Sequence, residues 1–276
     1  VFSEKCLEYS YFGHIEDPER LRKAYEILRS RHYQFLRPKP VSEEDLLRVH
    51  SKAWVERVKQ GGFFDGDTPG GMNIYEYASL SAGGAVLAAT EQAFSLMRPP
   101  GHHVGRDGKA MGAPTLGFCY LNNMAIAVKR LHRPTLILDI DGHHGNGTQE
   151  IFQGEAEVTV ISLHRVGIYP GTGYKSEGNC LNFPFHAPPG DELYLNTLDE
   201  ALSQVDLERA EVVAISAGFD CHDGDLASLG LTSRCFQQIG RKVSSLGKYT
   251  FGVMEGGYNG ETIGEDLDSL LKELPN

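Results

Sequence analysis

Asp139-Ile140-Asp141-Gly142-His143-His144-Gly145-Asn146 follows the apolar run Leu136-Ile137-Leu138, so two carboxylates and two imidazoles stand where a buried strand gives way to a loop. Side chains alternate faces along a strand, so Asp139, Asp141 and His143 point the same way if the extended backbone persists. Carboxylates and imidazoles so arranged suit a divalent cation, zinc foremost. The glycines let backbone approach such a site with no Cβ in the way. The plainer alternative is a solvated polar strand end, but titratable groups this dense exceed what an ordinary turn carries.

The pattern recurs. Phe94-Ser95-Leu96-Met97 leads into Arg98-Pro99-Pro100-Gly101-His102-His103, and Val212-Val213-Ala214-Ile215-Ser216 into Ala217-Gly218-Phe219-Asp220-Cys221-His222. Phe251-Gly252-Val253-Met254 leads into Glu255-Gly256-Gly257-Tyr258-Asn259. Each reads as a short strand buried on both faces, followed by glycine and then by reactive side chains. In open parallel sheets, ligands bind beyond the carboxyl ends of the strands. Such ends converging on one crevice would gather metal-ligating groups, a histidine pair and a phenol, which is the equipment of a hydrolase.

Length and composition fit one α/β enzyme domain over residues 1–276. The formal charge of −11 leaves no basic surplus to neutralise phosphates, which argues against wholesale nucleic-acid binding. An acidic surface would favour cationic substrates at long range, or simply keep the chain in solution. The five cysteines are scattered and form no CxxC pair, which argues against a disulfide framework and a cysteine-rich structural zinc site. Cys119 and Cys221 adjoin candidate site residues but read as packing. No apolar run approaches the roughly 20 residues that span a bilayer. The first residues show no basic-then-apolar leader, so the expected location is cytoplasmic and the expected partners include no membrane.

Along the chain, residues 1–6 read as an opening strand and 11–17 as a loop. A helix with Asp17 as N-cap and Pro18 in its first turn is expected to run through Leu28. Ser42-Glu43-Glu44-Asp45 opens another by the capping-box pattern, with Asp45 in place of the usual glutamate. The glycine-rich stretch 61–71, around Asp65 and Asp67, reads as an exposed loop. Residues 75–94 read as a small-residue helix, where Gly83-Gly84 permits close packing rather than phosphate binding. Further helices are expected at 121–131, 192–205, 233–246 and 261–274, and strands at 157–163 and 181–185. The alternation implies a mostly parallel sheet covered on both faces.

Seven motifs follow one another across nearly the whole chain. They are His14-Ile15-Glu16-Asp17-Pro18-Glu19-Arg20-Leu21, Arg98 to His103, Gly117-Phe118-Cys119-Tyr120-Leu121-Asn122-Asn123, residues 139–149, Tyr169-Pro170-Gly171-Thr172-Gly173, Ala217 to Asp220, and Glu255 to Tyr258. In this order they resemble the zinc-dependent histone deacetylase superfamily, which includes acetylpolyamine amidohydrolases and acetoin-utilisation-type proteins. Arg98-Pro99-Pro100-Gly101, Glu255-Gly256-Gly257-Tyr258 and Asn146 are closer to the class II and bacterial branches than to class I. The resemblance implies the three-layer arginase/deacetylase fold, a parallel sheet of about eight strands flanked by helices.

Carried over, the resemblance makes Asp141, His143 and Asp220 the zinc ligands, leaving an open position for water and the substrate carbonyl. His102 and His103 become the tandem histidines, His103 as general base and then acid, His102 mainly electrostatic. Asp139 would accept the Nδ1 proton of His102, and Asn146 that of His103. Tyr258 would donate to the developing oxyanion. Phe118 and Tyr169 would wall a narrow tunnel, with Gly117 offering its carbonyl to the substrate amide and Asp67 orienting substrate at the rim. Relatives also bind potassium near the metal strand, where Asp139, Asp141, His143, Ser162 and Leu163 would supply oxygens.

The expected activity is removal of acetyl or related acyl groups from a lysine-like or polyamine amine, on a small or peptide substrate; oligomeric state stays open. Protein-lysine and small-molecule deacetylases share every catalytic residue and differ at rim loops. A ureohydrolase of the arginase type shares the fold but needs further Asp and His ligands for two metal ions. A non-catalytic acyl-lysine binding module would be expected to lose Tyr258 or a ligand.

Overall fold

Runs such as Leu136-Ile137-Leu138 carry no polar alternation, so the strands they form must be covered on both sides. The computed structural model describes residues 1–274. Its strands are β1 (Phe94–Ser95), β2 (Val104–Gly105), β3 (Gly108–Lys109), β4 (Thr135–Asp139), β5 (Val158–Arg165), β6 (Cys180–Phe185), β7 (Val212–Ala217) and β8 (Tyr249–Met254). Six form one sheet in the order β1-β8-β7-β4-β5-β6, every neighbouring pair parallel, while β2 and β3 make a separate antiparallel hairpin. The sheet therefore has six strands rather than the expected eight.

Leu136 and Leu138 pack with Val213 and Ile215 against Leu21, Phe236 and Ile263, which belong to helices Glu19–Ser30, Ser233–Ser245 and Gly260–Leu271. Ile137, between them in sequence, points to the other face, with Ala82 and Ile126 of helices Ile74–Glu91 and Asn123–Leu131. Each fully buried aliphatic side chain of this kind contributes roughly 1.5–3 kcal/mol. Among the described residues, no helix is long and apolar enough to cross a membrane.

Residues 1–6 are not a strand of the sheet. Val1 accepts from the Leu96 amide at 2.9 Å, but Ser3 then caps a 3-10 turn, Glu4–Leu7, by accepting from Lys5. β1 is only two residues long and offers no ladder to extend. The helix expected over 75–94 stops at Glu91, because Gln92 turns left-handed at φ 51° and frees Phe94 for β1. Within that helix, a Cβ on Gly83 would overlap the Lys39 carbonyl oxygen, so the close-packing reading holds. Helix Glu19–Ser30 has Pro18 at its N-cap position, with the Asp17 carboxylate accepting from the Glu19 amide at 2.8 Å. The Ser42–Asp45 pair caps Glu43–Leu47, Ser42 Oγ accepting from the Asp45 amide at 3.2 Å.

From β4 the chain lays down β5 and β6 on one side, then returns to place β7 and β8 on the other. The reversal opens a crevice beyond the carboxyl ends of β4 and β7, the place where open α/β sheets bind ligands.

Candidate active site

Asp141 and His143 leave the carboxyl end of β4, and Asp220 leaves that of β7 beside it. Their ligating atoms lie within 4.8 Å of one another, and all three side chains are buried. Nδ1 of His143 is 2.7 Å from Oδ2 of Asp220 and 3.3 Å from Oδ1 of Asp141. The other oxygens are anchored: Asp220 Oδ1 accepts from the Gly142 amide at 2.9 Å, and Asp141 Oδ2 from the Gly256 amide at 2.8 Å. Asp220 Oδ2, though near His143, receives no well-directed hydrogen bond. A buried acceptor left in this way is what a cation satisfies. Burial, then the Asp141 charge, push the Asp220 carboxyl above its ordinary value. Burial acts on Asp141 in the same sense, but His102 and His143 overcome it and hold that carboxyl low. Two carboxylates and an imidazole, one oxygen unpartnered, fit zinc or a similar divalent ion.

Asp139 does not join this group. Its Oδ2 lies 3.0 Å from Nδ1 of His102, while Nδ1 of His103 lies 2.8 Å from Oδ1 of Asn146. The Asn146 amide nitrogen donates to the Ala110 carbonyl at 3.0 Å, which leaves its oxygen as the acceptor. His103 therefore carries its proton on Nδ1 and keeps Nε2 free. The two rings are 4.0 Å apart. Burial alone would lower His102, but Asp141 and Asp139 lift it to about 10. Burial, then the charges of His102 and His143, hold His103 well below the ordinary imidazole value. The two imidazoles of the pair thus differ in basicity, His102 being the stronger base. Glu255 fixes their backbone, accepting from the Gly101 amide at 2.7 Å and the His102 amide at 3.1 Å.

Tyr169 stands edge-on to His103 with ring centres 4.8 Å apart, and Phe118 stands edge-on to Tyr258 at 5.8 Å. Gly117 lies between His103 and Tyr169; a Cβ there would come within 2.5 Å of the His103 ring and 2.7 Å of the Tyr169 hydroxyl. Tyr258 also borders a cavity of about 470 Å³ with Ile15, Asp223, Asp225 and Leu226.

Other candidates lie elsewhere. The Asp67 carboxylate is occupied, accepting from the Thr68 hydroxyl at 2.7 Å and the Thr115 hydroxyl at 2.6 Å. Thr68 in turn accepts from the Phe118 amide at 2.8 Å, so Asp67 braces the Phe118 segment. Ser162 faces Asp139 across the β4–β5 ladder, and its hydroxyl lies 2.9 Å from Nδ1 of His164. Leu163 packs its side chain in the core. All five cysteines are buried and unpaired.

Sequence reasoning gave no role to the buried cluster of Glu16, Arg20 and Arg98. Arg98 grips both Glu16 oxygens, at 2.7 and 2.8 Å, and Arg20 reaches Oε1 at 3.0 Å. Arg20 also donates to the Gly257 carbonyl at 2.6 Å and to that of Glu255, with its guanidinium 5.0 Å from the Tyr258 ring centre. These residues sit inside two of the quoted motifs, which was the available signal; that they are buried together is visible only in the fold.

Residues 14–274 match the histone deacetylase domain. The chain belongs to the histone deacetylase family. A protein of Archaeoglobus fulgidus described as a probable deacetylase is 39% identical over 297 aligned residues, covering 95% of this chain and 81% of that protein. The crystal structure of the HDA15 HD domain superposes with a TM-score of 0.89 at 31% identity, covering 98% of this chain and 86% of its own. An acetylpolyamine aminohydrolase from Burkholderia pseudomallei superposes at 0.87 with 24% identity, covering 99% and 97%. That last likeness establishes the shared arginase/deacetylase fold.

Proposed function

We propose that the protein is a zinc-dependent amidohydrolase that removes acetyl or related acyl groups from a lysine-like or polyamine amine. One observation carries this reading: Asp141, His143 and the unpartnered Asp220 oxygen converge beside a histidine pair of unequal basicity. Asp141, His143 and Asp220 would hold the zinc, which would supply a Lewis acid for the substrate carbonyl and acidify the attacking water. His103, neutral with Nε2 free, accepts the proton of that water and returns it to the departing amine. Asn146 keeps His103 in the required tautomer. His102, paired with Asp139, contributes positive charge next to the reacting centre. Tyr258 donates its phenolic proton to the oxyanion as the carbonyl becomes tetrahedral. Tyr169, Phe118 and Gly117 wall the approach and exclude bulky groups near the amide.

The family and the fold of the polyamine-directed neighbour support an acylated primary amine as substrate. The arrangement speaks against a ureohydrolase, because Asp139 faces His102 and a single three-donor group is found among the described residues. The test is a substrate panel on the metal-loaded protein: acetyl-lysine peptides, acetylpolyamines and longer acyl amides. Chelation should abolish amide hydrolysis, and Zn²⁺ or Co²⁺ should restore it. Two bound ions with manganese-dependent urea release would overturn the reading.

A further inference from the structure

The glycines at 256 and 257 leave Tyr258 on a turn with no side chain of its own to wedge it in place. Its position must be imposed from outside. Arg20 holds the turn from beneath through the Gly257 and Glu255 carbonyls. Beside the bond from the Gly256 amide to Asp141, a further restraint comes from the loop after β7. Asp225 Oδ2 accepts from the Tyr258 amide at 3.0 Å and from the Asn259 amide at 3.2 Å. Its second oxygen accepts from the Leu226 amide at 2.6 Å, and its own amide donates to the His222 carbonyl at 3.1 Å, so the carboxylate cannot swing away freely. The same loop is joined a second time to the helix after Tyr258: Nδ1 of His222 lies 2.7 Å from Asp266, which also accepts from Ser233 at 2.6 Å. This loop, which joins β7 to helix Ser233–Ser245, carries Asp220 of the metal group near its start.

We propose that Asp225 is a positioning residue that locks the Tyr258 phenol at a fixed distance from the Asp141–His143–Asp220 group. One loop thereby carries a metal ligand at its start and the brace for the oxyanion donor five residues on. The inference rests on the role given to Tyr258 above. Asp225 faces the cavity beside the site, yet its Oδ2 is turned to backbone amides, so it acts on the reaction through Tyr258 rather than by touching substrate.

The experiment is a double-mutant cycle with kcat, KM and bound zinc measured for each protein. Asp225→Ala should lower kcat by about ten- to a hundredfold, as expected for a catalytic group displaced by an ångström or less. KM and zinc content should stay near wild type. Asp225→Asn keeps one acceptor oxygen for the Tyr258 and Asn259 amides and loses only the bond from the Leu226 amide, so it should recover most of the rate. In a Tyr258→Phe background, Asp225→Ala should cost little more. Should Asp225→Ala not fold, Asp225→Ser, with a hydroxyl too short to reach both amides, carries the same expectations. An unchanged kcat, an equal loss in both backgrounds, or an Asp225→Asn enzyme as slow as the alanine variant would overturn the proposal. A fast Tyr258→Phe enzyme would instead remove the tyrosine reading on which it rests.

Discussion

Oδ1 of Asn146 lies 2.8 Å from Nδ1 of His103, whereas the equivalent nitrogen of His102 faces a carboxylate, that of Asp139, at 3.0 Å. An amide oxygen orients an imidazole without strongly favouring its protonated form; a carboxylate does both. Asn146→Asp should therefore raise the basicity of His103. A general base must be neutral to work, so the acidic limb of the kcat/KM profile should move to higher pH, by about one unit. Full pH–rate profiles of the two proteins check this, and an unmoved acidic limb would show that His103 is not the base.

Tyr258→Phe removes one hydrogen-bond donor while keeping the ring that packs on Phe118 and Arg20. Turnover should fall by roughly two to three orders of magnitude with zinc content and melting temperature nearly unchanged. Single-turnover kinetics on an acetyl-lysine peptide provide the measurement, and a near-wild-type rate would assign oxyanion stabilisation to another group.

Glu16 ties acid stability to the buried arginines. Burial raises its carboxyl, but Arg98 and Arg20 reverse this and hold it at about 2, against an ordinary 4.5. A carboxyl depressed in the folded state contributes stability that is present above the unfolded value, here 4.5, and is lost as pH falls toward about 2. The contribution is about 3 kcal/mol. Glu16→Gln should lower the melting temperature at pH 7, since two buried guanidiniums lose their counter-charge. It should also flatten the fall in melting temperature between pH 4.5 and 2. Parallel melting curves for the two proteins across that window would contradict the assignment.

Asp223 is exposed and borders the cavity beside Tyr258. If acidic groups at this mouth steer a cationic substrate, kcat/KM for an acetylpolyamine should drop as salt is added, and drop again in Asp223→Asn. Neutral acetyl-lysine peptides should show neither effect. Equal salt responses for both substrates would take polyamines out of consideration.

Local pattern carried the sheet's interior and the reactive ends of its strands, because unbroken apolar runs followed by glycine have few other solutions. Leu136-Ile137-Leu138, Val212 to Ser216 and Phe251 to Met254 all lie in parallel strands of the sheet. The edges were less legible. Residues 1–6 are apolar enough for a strand, yet a serine cap and the brevity of β1 direct them into a turn. At the site, strand alternation alone set Asp139 on one face with Asp141 and His143; its pairing with His102 came only with the family resemblance, because His102 lies in a separate segment. Asp67 was legible as a loop aspartate, while its engagement by Thr68 and Thr115 depends on two segments meeting. Glu16, Arg20 and Arg98 look like ordinary surface residues until the fold buries them together.

The return of β7 to pair with β4, after β5 and β6 are in place, has a consequence for biosynthesis. The Gly142 amide and the Asp220 carboxylate it meets are 78 positions apart. A growing chain that has already released Asp141 and His143 presents only two donors, and closing so long a loop carries an entropic cost that non-local pairing must first offset. An ion-binding centre made this way cannot mature before the middle of the sheet has closed. Filling of that centre would require the β4–β7 pair to have closed, and a product terminated before Asp220 would lack the third donor.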